Sequence, residues 1–306
     1  FVVSFLLILI MMQALKGSLV ALVTPMEEGG AVDYESLEKL IDWHINNGTN
    51  GIVSVGTTGE SATLDVDEHV EVIKHTVEHV NSRVSVIAGT GANSTSEAIE
   101  LTQESKQNGA DFALIVTPYY NKPTQKGLIS HYTKLANEVD IPQILYNVPS
   151  RTACDILPET VEILSTHNNI VGIKEAVDSK ERIDDLIAIS SNNQNFQLFS
   201  GDDPSFIKMI QKGGDGVISV AANVVPSKIS EICKLIEDKK YDEATIIDNT
   251  LTNLYDLLFI ESNPIPVKWM LFKMYLIKNS IRLPLEELDE VHQENIINEM
   301  LKLKII

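Results

Sequence analysis

The chain has 306 residues, of which 43 are Asp or Glu and 24 are Lys or Arg, for a formal net charge of −19. So acidic a chain lacks the basic surface that binds nucleic-acid phosphates and the clustered cations that attract an anionic membrane. With 44% hydrophobic and 22% charged residues, its composition is typical of a folded globular protein. We therefore expect neither a nucleic acid nor a membrane as partner.

The two cysteines, Cys154 and Cys233, are too few for a disulfide framework or a Cys-rich zinc site. A reducing compartment is the default for such a chain, and we predict a cytoplasmic location.

The first residues differ from the rest. Residues 1–12 are apolar apart from Ser4 and carry no charge, but a bilayer span needs roughly 18–20 apolar residues. We expect residues 1–13 to lie outside the fold, with translation starting at Met11 or Met12. A truncated signal or anchor is the alternative.

From residue 19 onward, short apolar runs alternate with amphipathic stretches of helical spacing. The runs are bounded by Gly, Pro, Asn or Asp, which is typical of buried strands. They cover residues 19–25, 51–56, 84–89, 112–118, 141–149, 170–176, 196–202 and 216–223. Helix starts are predicted at Asp33, Asp65, Ser94 and Pro158. Helix ends or turns are predicted at Asn47-Gly48 and Asn108-Gly109.

Eight strands, each followed by a helix, predict an α/β fold of the (β/α)8 TIM-barrel class. The near-continuous apolar strands fit a parallel sheet that is covered on both faces; an open doubly wound sheet is the alternative. After the eighth helix, at about residues 226–239, further helices are predicted near 241–259, 266–278 and 284–306. The predicted organisation is an extension (1–13), a catalytic barrel (14–239) and a C-terminal helical region (240–306).

Active sites of such barrels lie at the C-terminal ends of the strands. Lys174 lies within the apolar sixth strand, and period-two alternation places it on the same side as Ile170 and Gly172. If that side faces the interior, Gly172 leaves room beside the amine, and burial favours the neutral nucleophile that forms Schiff bases with carbonyls. A structural ion pair with Glu175 or Asp202 is the alternative.

Hydroxyl groups and one cation are predicted around this lysine. Thr57 and Thr58 lie in a glycine-flanked loop that can offer hydroxyl and N–H groups to the carboxylate of a small 2-oxo acid. Tyr146 can transfer protons, and Tyr120 and Thr57 can extend that relay. Arg151 can bind a second carboxylate through its planar guanidinium. The alternatives are rim packing for the tyrosines and a surface salt bridge for Arg151.

Residues 75–79 read His-Thr-Val-Glu-His, which matches a zinc-protease pattern. The match lies in the helix after the second strand, where an amphipathic helix surface explains it. A metal-dependent aldolase needs a cluster of His and carboxylates at the strand ends, and the sequence has no glycine-rich nucleotide motif. We expect no metal and no cofactor.

Three motifs follow the predicted strands in order: Gly-Thr-Thr-Gly-Glu-Ser at residues 56–61, Tyr-Asn-Val-Pro-Ser-Arg-Thr at 146–152 and Gly-Ile-Lys-Glu at 172–175. With Ser-Asn-Pro-Ile-Pro-Val-Lys at 262–268, they resemble the 4-hydroxy-tetrahydrodipicolinate synthase family, also called dihydrodipicolinate synthases. The resemblance runs from about residue 17 to at least residue 284. It implies a pyruvate-dependent class I aldolase barrel of the N-acetylneuraminate lyase superfamily, usually a homotetramer built as a dimer of dimers.

The resemblance implies a reaction in which pyruvate condenses with L-aspartate 4-semialdehyde on the way to diaminopimelate and lysine. Lys174 would form the Schiff base with pyruvate. The proton relay would consist of Thr57, Tyr146 and Tyr120, and Tyr120 would reach into the site of a neighbouring subunit.

The resemblance also implies residues that bind the substrates. Thr58 and the nearby backbone would hold the pyruvate carboxylate, and Arg151 would receive the carboxylate of the semialdehyde. Gly201 and Ile218 would line the site. Relatives that act on sialic acid or sugar acids usually lack an arginine here, so Arg151 favours the synthase over N-acetylneuraminate lyase or a sugar-acid aldolase.

Many family members are inhibited by L-lysine at a subunit interface. The corresponding positions are Ser61, Ala62, His69, Asn93, Glu97 and Tyr119. Val66 departs from the pattern, because lysine-sensitive members often carry His or another ring there. A barrel that only binds or regulates would be expected to have lost Lys174 or the tyrosines, and all of them are present.

Overall fold

The computed structural model describes residues 15–306. Its eight parallel strands close into a barrel in chain order, which confirms the predicted (β/α)8 fold. The strands are β1 (Gly17–Ala21), β2 (Gly51–Ser54), β3 (Ser85–Gly89), β4 (Phe112–Val116), β5 (Gln143–Asn147), β6 (Ile170–Glu175), β7 (Gln197–Ser200) and β8 (Gly216–Ser219).

Helices follow the strands and cover the barrel. They are α1 (Tyr34–Asn46), α2 (Val66–Val80), α3 (Thr95–Gln107), α4 (Gln125–Glu138), α5 (Pro149–Thr152), α6 (Pro158–Leu164), α7 (Lys180–Asn192), α8 (Phe206–Gln211) and α9 (Pro226–Glu237). Four more follow the barrel: α10 (Tyr241–Asn249), α11 (Thr252–Leu257), α12 (Ile265–Lys273) and α13 (Glu290–Lys302). Two 3-10 turns occupy Ser61–Thr63 and Ala221–Asn223.

The predicted helix boundaries are confirmed where polar side chains or glycine determine them. The carboxylates of Asp33 and Asp65 accept hydrogen bonds from amides in the first turns of α1 and α2, which otherwise lack partners. Asn47 ends α1, and Gly48 then adopts a φ of 86°, a conformation that glycine adopts without steric cost.

Strand β6 contains an irregularity. Two consecutive residues of β5 pair with Ile170 and Gly172, so the register passes over Val171. Val171 packs in the barrel interior, whereas Ile170 packs in the layer between strands and helices. The prediction that Ile170 shares a side with Lys174 was therefore wrong, because an extra residue in a strand breaks period-two alternation.

The C-terminal region is less regular than predicted. The single helix expected over 241–259 is two helices: at the break the amides of Thr250 and Leu251 donate to carbonyls three residues earlier, and the Thr250 hydroxyl also donates to the carbonyl of Ile247, a local bond of the kind that competes with helical pairing. The last helix begins at Glu290 rather than near 284, with Asp289 accepting the amide of Val291 as its cap. Placing a unit boundary at residue 239 stays a prediction.

The predicted extension 1–13 lies outside the described residues. Across residues 15–306, no helix combines the length and apolar content that crossing a membrane requires.

Candidate active site

Lys174 projects into the barrel interior near the C-terminal end of β6. It is 5% exposed, and its Nζ lies 4.2 Å from the centroid of the Tyr146 ring on β5. Within residues 15–306, neither proposed carboxylate forms an ion pair with it: Glu175 takes part in a network on the other face of the strand, and Asp202 accepts from Ser205. The alternative of a structural ion pair is therefore wrong.

Gly201, after β7, gives Lys174 its space. A Cβ built on Gly201 would lie 2.9 Å from Cε and 3.1 Å from Cγ of Lys174. The prediction that Gly172 leaves this room was wrong, because a Cβ there would instead meet the carbonyl oxygen of Gln197 on β7 at 2.6 Å. Gly172 lets two strands approach closely, and Gly201 accommodates the lysine chain.

Tyr146 and Ile218 belong to one apolar cluster inside the barrel. Both are at least nine-tenths buried, and they pack there with residues such as Phe199. Rim packing, the alternative considered for Tyr146, is therefore wrong. The amine of Lys174 faces an apolar wall in which the Tyr146 hydroxyl is a polar group able to exchange protons.

The loop after β2 carries Thr57 and Thr58. The buried Thr58 hydroxyl accepts a hydrogen bond from Asn263 Nδ2 at 2.9 Å, which leaves its own O–H free to donate. Arg151, exposed on α5, donates from Nη2 to the backbone carbonyl of Asn263 at 3.3 Å. In the described part of the chain, no carboxylate pairs with Arg151. The surface salt bridge that was the alternative for this residue is therefore not found. Asn263 thus links the two residues predicted to bind carboxylates.

A buried polar network holds the ends of β5 and β6 together. The Asn147 amide donates to both oxygens of Glu175, at 3.1 and 3.0 Å, and to Asp155 at 2.8 Å. Burial raises the pKa of Glu175 to about 7, and it outweighs the hydrogen bonds from Asn147 and Val177 and the charge of Arg182, which act in the opposite direction. This network fixes the two strands that carry Tyr146 and Lys174 from the face opposite the barrel interior.

Tyr120 does not meet the other predicted catalytic residues within this chain. It is 89% exposed in the segment after β4, and its neighbour Tyr119 is 39% exposed. Among residues 15–306 the Tyr120 side chain is not packed in the interior, and its predicted role in a neighbouring site stays a prediction.

A cavity of about 270 Å³ lies beside the β2 loop. Its wall contains Thr57, Arg151 and Val66. It also contains five of the six residues predicted to bind lysine, namely Ser61, Ala62, His69, Glu97 and Tyr119. Asn93 does not line it; its carbonyl accepts from Asn121 instead. The cavity therefore borders both predicted sites.

The cavity combines a buried imidazole with an acidic rim. His69 Nε2 lies 2.7 Å from the carbonyl oxygen of Gly89, and burial lowers the pKa of His69 although that hydrogen bond opposes the shift. Burial raises the pKa of Tyr119, and the nearby Glu97 carboxylate adds to the effect. A neutral imidazole, a phenol and a carboxylate suit a ligand with an ammonium group.

The zinc-protease match is a contact between two outer helices. His75 Nε2 lies 3.0 Å from Glu38, and His79 Nε2 lies 3.1 Å from Asp42. Over the 292 residues from 15 to 306, no three His, Cys, Asp or Glu residues are arranged to hold a metal ion.

Sequence reasoning included Glu60, Asn263 and Lys268 in the family motifs but assigned them no role; in the structure Asn263 and Lys268 contact Thr58 and Glu60 of the β2 loop from the C-terminal region. A signal was present, because Lys268 is the one charge in an apolar run from Ile265 to Leu271. A charge in such a run is rare unless it is paired.

Comparisons with known proteins agree with this geometry. Residues 14–303 match the model of the dihydrodipicolinate synthetase family. A relative from Saccharophagus degradans is 56% identical over 275 residues, covering 90% of this chain and 94% of its own length. One from Pseudomonas syringae pv. syringae is 56% identical over 280 residues, covering 92% and 95%. Both are named 4-hydroxy-tetrahydrodipicolinate synthase.

Solved structures show the same likeness. The dihydrodipicolinate synthase of Acinetobacter baumannii, complexed with pyruvate, has a TM-score of 0.92 and 49% identity, covering 96% of this chain and all of its own. That of Cyanidioschyzon merolae, with lysine bound, has a TM-score of 0.92 and 36% identity, covering 95% and 99%. The chain belongs to the dihydrodipicolinate synthetase family.

Proposed function

We propose that this protein is a lyase, a 4-hydroxy-tetrahydrodipicolinate synthase that condenses pyruvate with L-aspartate 4-semialdehyde in lysine and diaminopimelate biosynthesis. The observation that carries the proposal is Lys174, a buried amine with no ion-pair partner among residues 15–306, lying against Tyr146. Relatives 53–56% identical over most of the chain have this name, and a solved neighbour holds pyruvate.

The chemistry follows from the position of the Lys174 amine, buried inside the barrel beside Tyr146. Lys174 Nζ attacks the keto carbon of pyruvate, and loss of water from the carbinolamine gives an imine. Tyr146, with Thr57, passes the protons that this dehydration and the following enamine formation require. The enamine carbon then attacks the aldehyde carbon of the semialdehyde, and the semialdehyde's own amine closes the ring and releases Lys174.

Substrate carboxylates are held at two places around the barrel mouth. The free O–H of Thr58 and the amides beside it bind the pyruvate carboxylate, while Gly201 and Ile218 shape the wall. The exposed guanidinium of Arg151 binds the semialdehyde carboxylate. Because the chain carries a net charge of −19, this local cation must supply attraction that the protein as a whole does not.

Turnover with a matched panel of substrates tests this function. With pyruvate present, we expect condensation with aspartate semialdehyde and no cleavage of N-acetylneuraminate or sugar acids. Turnover of a sugar acid alone would contradict the proposal and would indicate another pyruvate aldolase. Because the proposed chemistry uses only Lys174 and its neighbours, dialysis against EDTA should leave the rate unchanged.

The exposed Tyr120 supports a shared active site in a homotetramer. Mixing two inactive variants, Lys174→Arg and Tyr120→Phe, tests this, because a hybrid dimer would regain one complete site if Tyr120 acts in its neighbour. We expect activity to return after the subunits are exchanged. No recovery in hybrids verified by mass would mean that Tyr120 acts within its own chain, and an active Tyr120→Phe variant before mixing would mean that Tyr120 has no catalytic role.

The cavity beside the β2 loop supports inhibition by L-lysine, since Glu97 can pair with an ammonium group and a relative binds lysine. We expect Glu97→Gln to weaken lysine binding in calorimetry about tenfold, as loss of a charge-assisted bond does. Val66→His should strengthen it, because the ring adds a hydrogen-bonding group to the wall. Lysine affinity unchanged by both variants would place the inhibitor elsewhere.

A cytoplasmic location is tested by cell fractionation.

A further inference from the structure

The loop that carries Thr57 and Thr58 ends in a buried charge. Glu60 adopts a φ of 59°, in the left-handed region, and its side chain is 2% exposed. One carboxylate oxygen accepts from the Lys268 ammonium, and the other accepts from the backbone amide of Arg282 at 3.1 Å. Both oxygens of this carboxylate are thus bound by the C-terminal region.

Lys268 is equally enclosed on α12. Its side chain is 3% exposed, and its Nζ also donates to the carbonyl of Thr24, after β1, at 3.0 Å. Burial lowers the pKa of Lys268, whereas the charge and hydrogen bond of Glu60 act in the opposite direction. The ion pair therefore joins three parts of the chain: the segments after β1 and β2, and helix α12.

This arrangement is costly as a purely structural device. A residue other than glycine in the left-handed region is strained, and a buried ion pair commonly adds no stability over apolar packing of the same volume. Strain of this kind persists where the surrounding contacts fix a site. Glu60 is three positions after Thr57 and two after Thr58, and Val55, two positions before Thr57, also has a positive φ, of 53°.

A second contact from the same C-terminal region reaches the loop. Asn263, two residues before α12, donates to the Thr58 hydroxyl at 2.9 Å. The loop is thus held at Thr58 and at Glu60 by residues of the C-terminal region, within α12 and on either side of it.

We infer that Glu60 and Lys268 are positioning residues, which tie the β2 loop to α12 so that Thr57 and the Thr58 hydroxyl meet the substrate in the right place. The inference rests on the proposed function, since it assigns the loop to the pyruvate carboxylate. Without the pair, the Thr58 hydroxyl and the neighbouring amides move relative to Lys174. Pyruvate is then held out of line with the Lys174 amine and is trapped as the imine less readily, because displacements near 1 Å can cost as much as about 100-fold in rate.

The test uses the double variant Glu60→Gln/Lys268→Met, because each single change would leave an unpaired buried charge and can prevent folding. The control is Lys273→Met, which removes a lysine from the same helix where it lies over the rings of Trp269 and Phe272. Borohydride trapping of the imine at a series of pyruvate concentrations gives the concentration for half-maximal trapping. Hydrogen–deuterium exchange of the amides in residues 56–63 reports on the loop itself.

We expect the double variant to need at least about tenfold more pyruvate than the wild type for half-maximal trapping. Amide exchange should become faster in the loop alone, and the KM for the semialdehyde should stay within about threefold of the wild-type value. The control should match the wild type. A folded double variant with wild-type trapping and wild-type loop exchange would overturn the inference, as would a double variant that lost only thermal stability. Failure of the wild type itself to trap pyruvate would contradict the proposed function, and the positioning role with it.

Discussion

Replacing Gly201 with alanine tests how closely the barrel wall fits the reactive lysine. The new methyl carbon would lie 2.9 Å from Cε and 3.1 Å from Cγ of Lys174, where ordinary contacts are 3.4–4 Å. The lysine chain must therefore move by about 0.5 to 1 Å, a displacement that can cost as much as about 100-fold in rate when it misaligns reacting groups. The φ of Gly201 lies outside the left-handed region, so alanine adds no backbone strain.

The expected signature of Gly201→Ala is a large loss of rate with a small loss of stability. Overpacking against a flexible side chain costs about 1 to 2 kcal/mol of the free energy of unfolding, whereas kcat/KM should fall between 10- and 100-fold, on the order expected for a misaligned nucleophile. Steady-state kinetics and thermal unfolding measure the two effects. Gly127→Ala on the outer helix α4, whose nearest contact is Pro123 Cβ at 3.2 Å, is the matched control. Wild-type kcat/KM in Gly201→Ala would refute the packing argument.

Three further predictions concern charge. Lys174→Arg should lose nearly all turnover, because an always-charged guanidinium cannot form the imine; substantial steady-state activity would reject Lys174 as nucleophile. Arg151→Ala should raise the semialdehyde KM while leaving pyruvate trapping unchanged; an equal loss of trapping would make Arg151 structural. In the folded protein the pKa of Glu175 is about 7, against a usual value of 4.5, so the folded state holds this proton more tightly than the unfolded state. The resulting stabilisation is complete below pH 4.5 and is lost as the pH rises through 7. Between pH 5 and 8, the free energy of unfolding measured in urea should fall by about 2 to 3 kcal/mol more in the wild type than in Glu175→Gln. The same dependence of this free energy on pH in both proteins would contradict the raised pKa of Glu175.

Much of the fold could be predicted because its signals are local. Buried parallel strands are apolar along their whole length and end in Gly, Pro or Asx, so each of the eight predicted runs overlaps an observed strand. Asp33 and Asp65 mark helix starts because their side chains bond amides only three residues away. Lys174 could be found in the same way, since a cation inside an apolar strand contradicts its surroundings unless it has a function.

The parts that could not be predicted depend on contacts between distant residues. Asn263 and Thr58 are 205 positions apart, and Lys268 and Glu60 are 208 apart, so no periodicity relates them. The bulge that brings Val171 inward changes one residue of register; Gly172 follows it directly, but a strand glycine alone does not show which residue the pairing passes over. Gly201 and Gly172 look alike in the sequence, and only the packing shows that Gly201 makes room for the lysine.

The central claim is that Lys174 forms a covalent imine with pyruvate, and reductive trapping tests it most directly. The wild-type protein is incubated with pyruvate, reduced with borohydride and digested, and the peptides are mapped by mass. We predict a single pyruvate-derived adduct on the peptide that contains Lys174, and none in Lys174→Arg. A folded wild-type protein that gains no adduct in excess pyruvate, or an adduct on another lysine, would contradict the account.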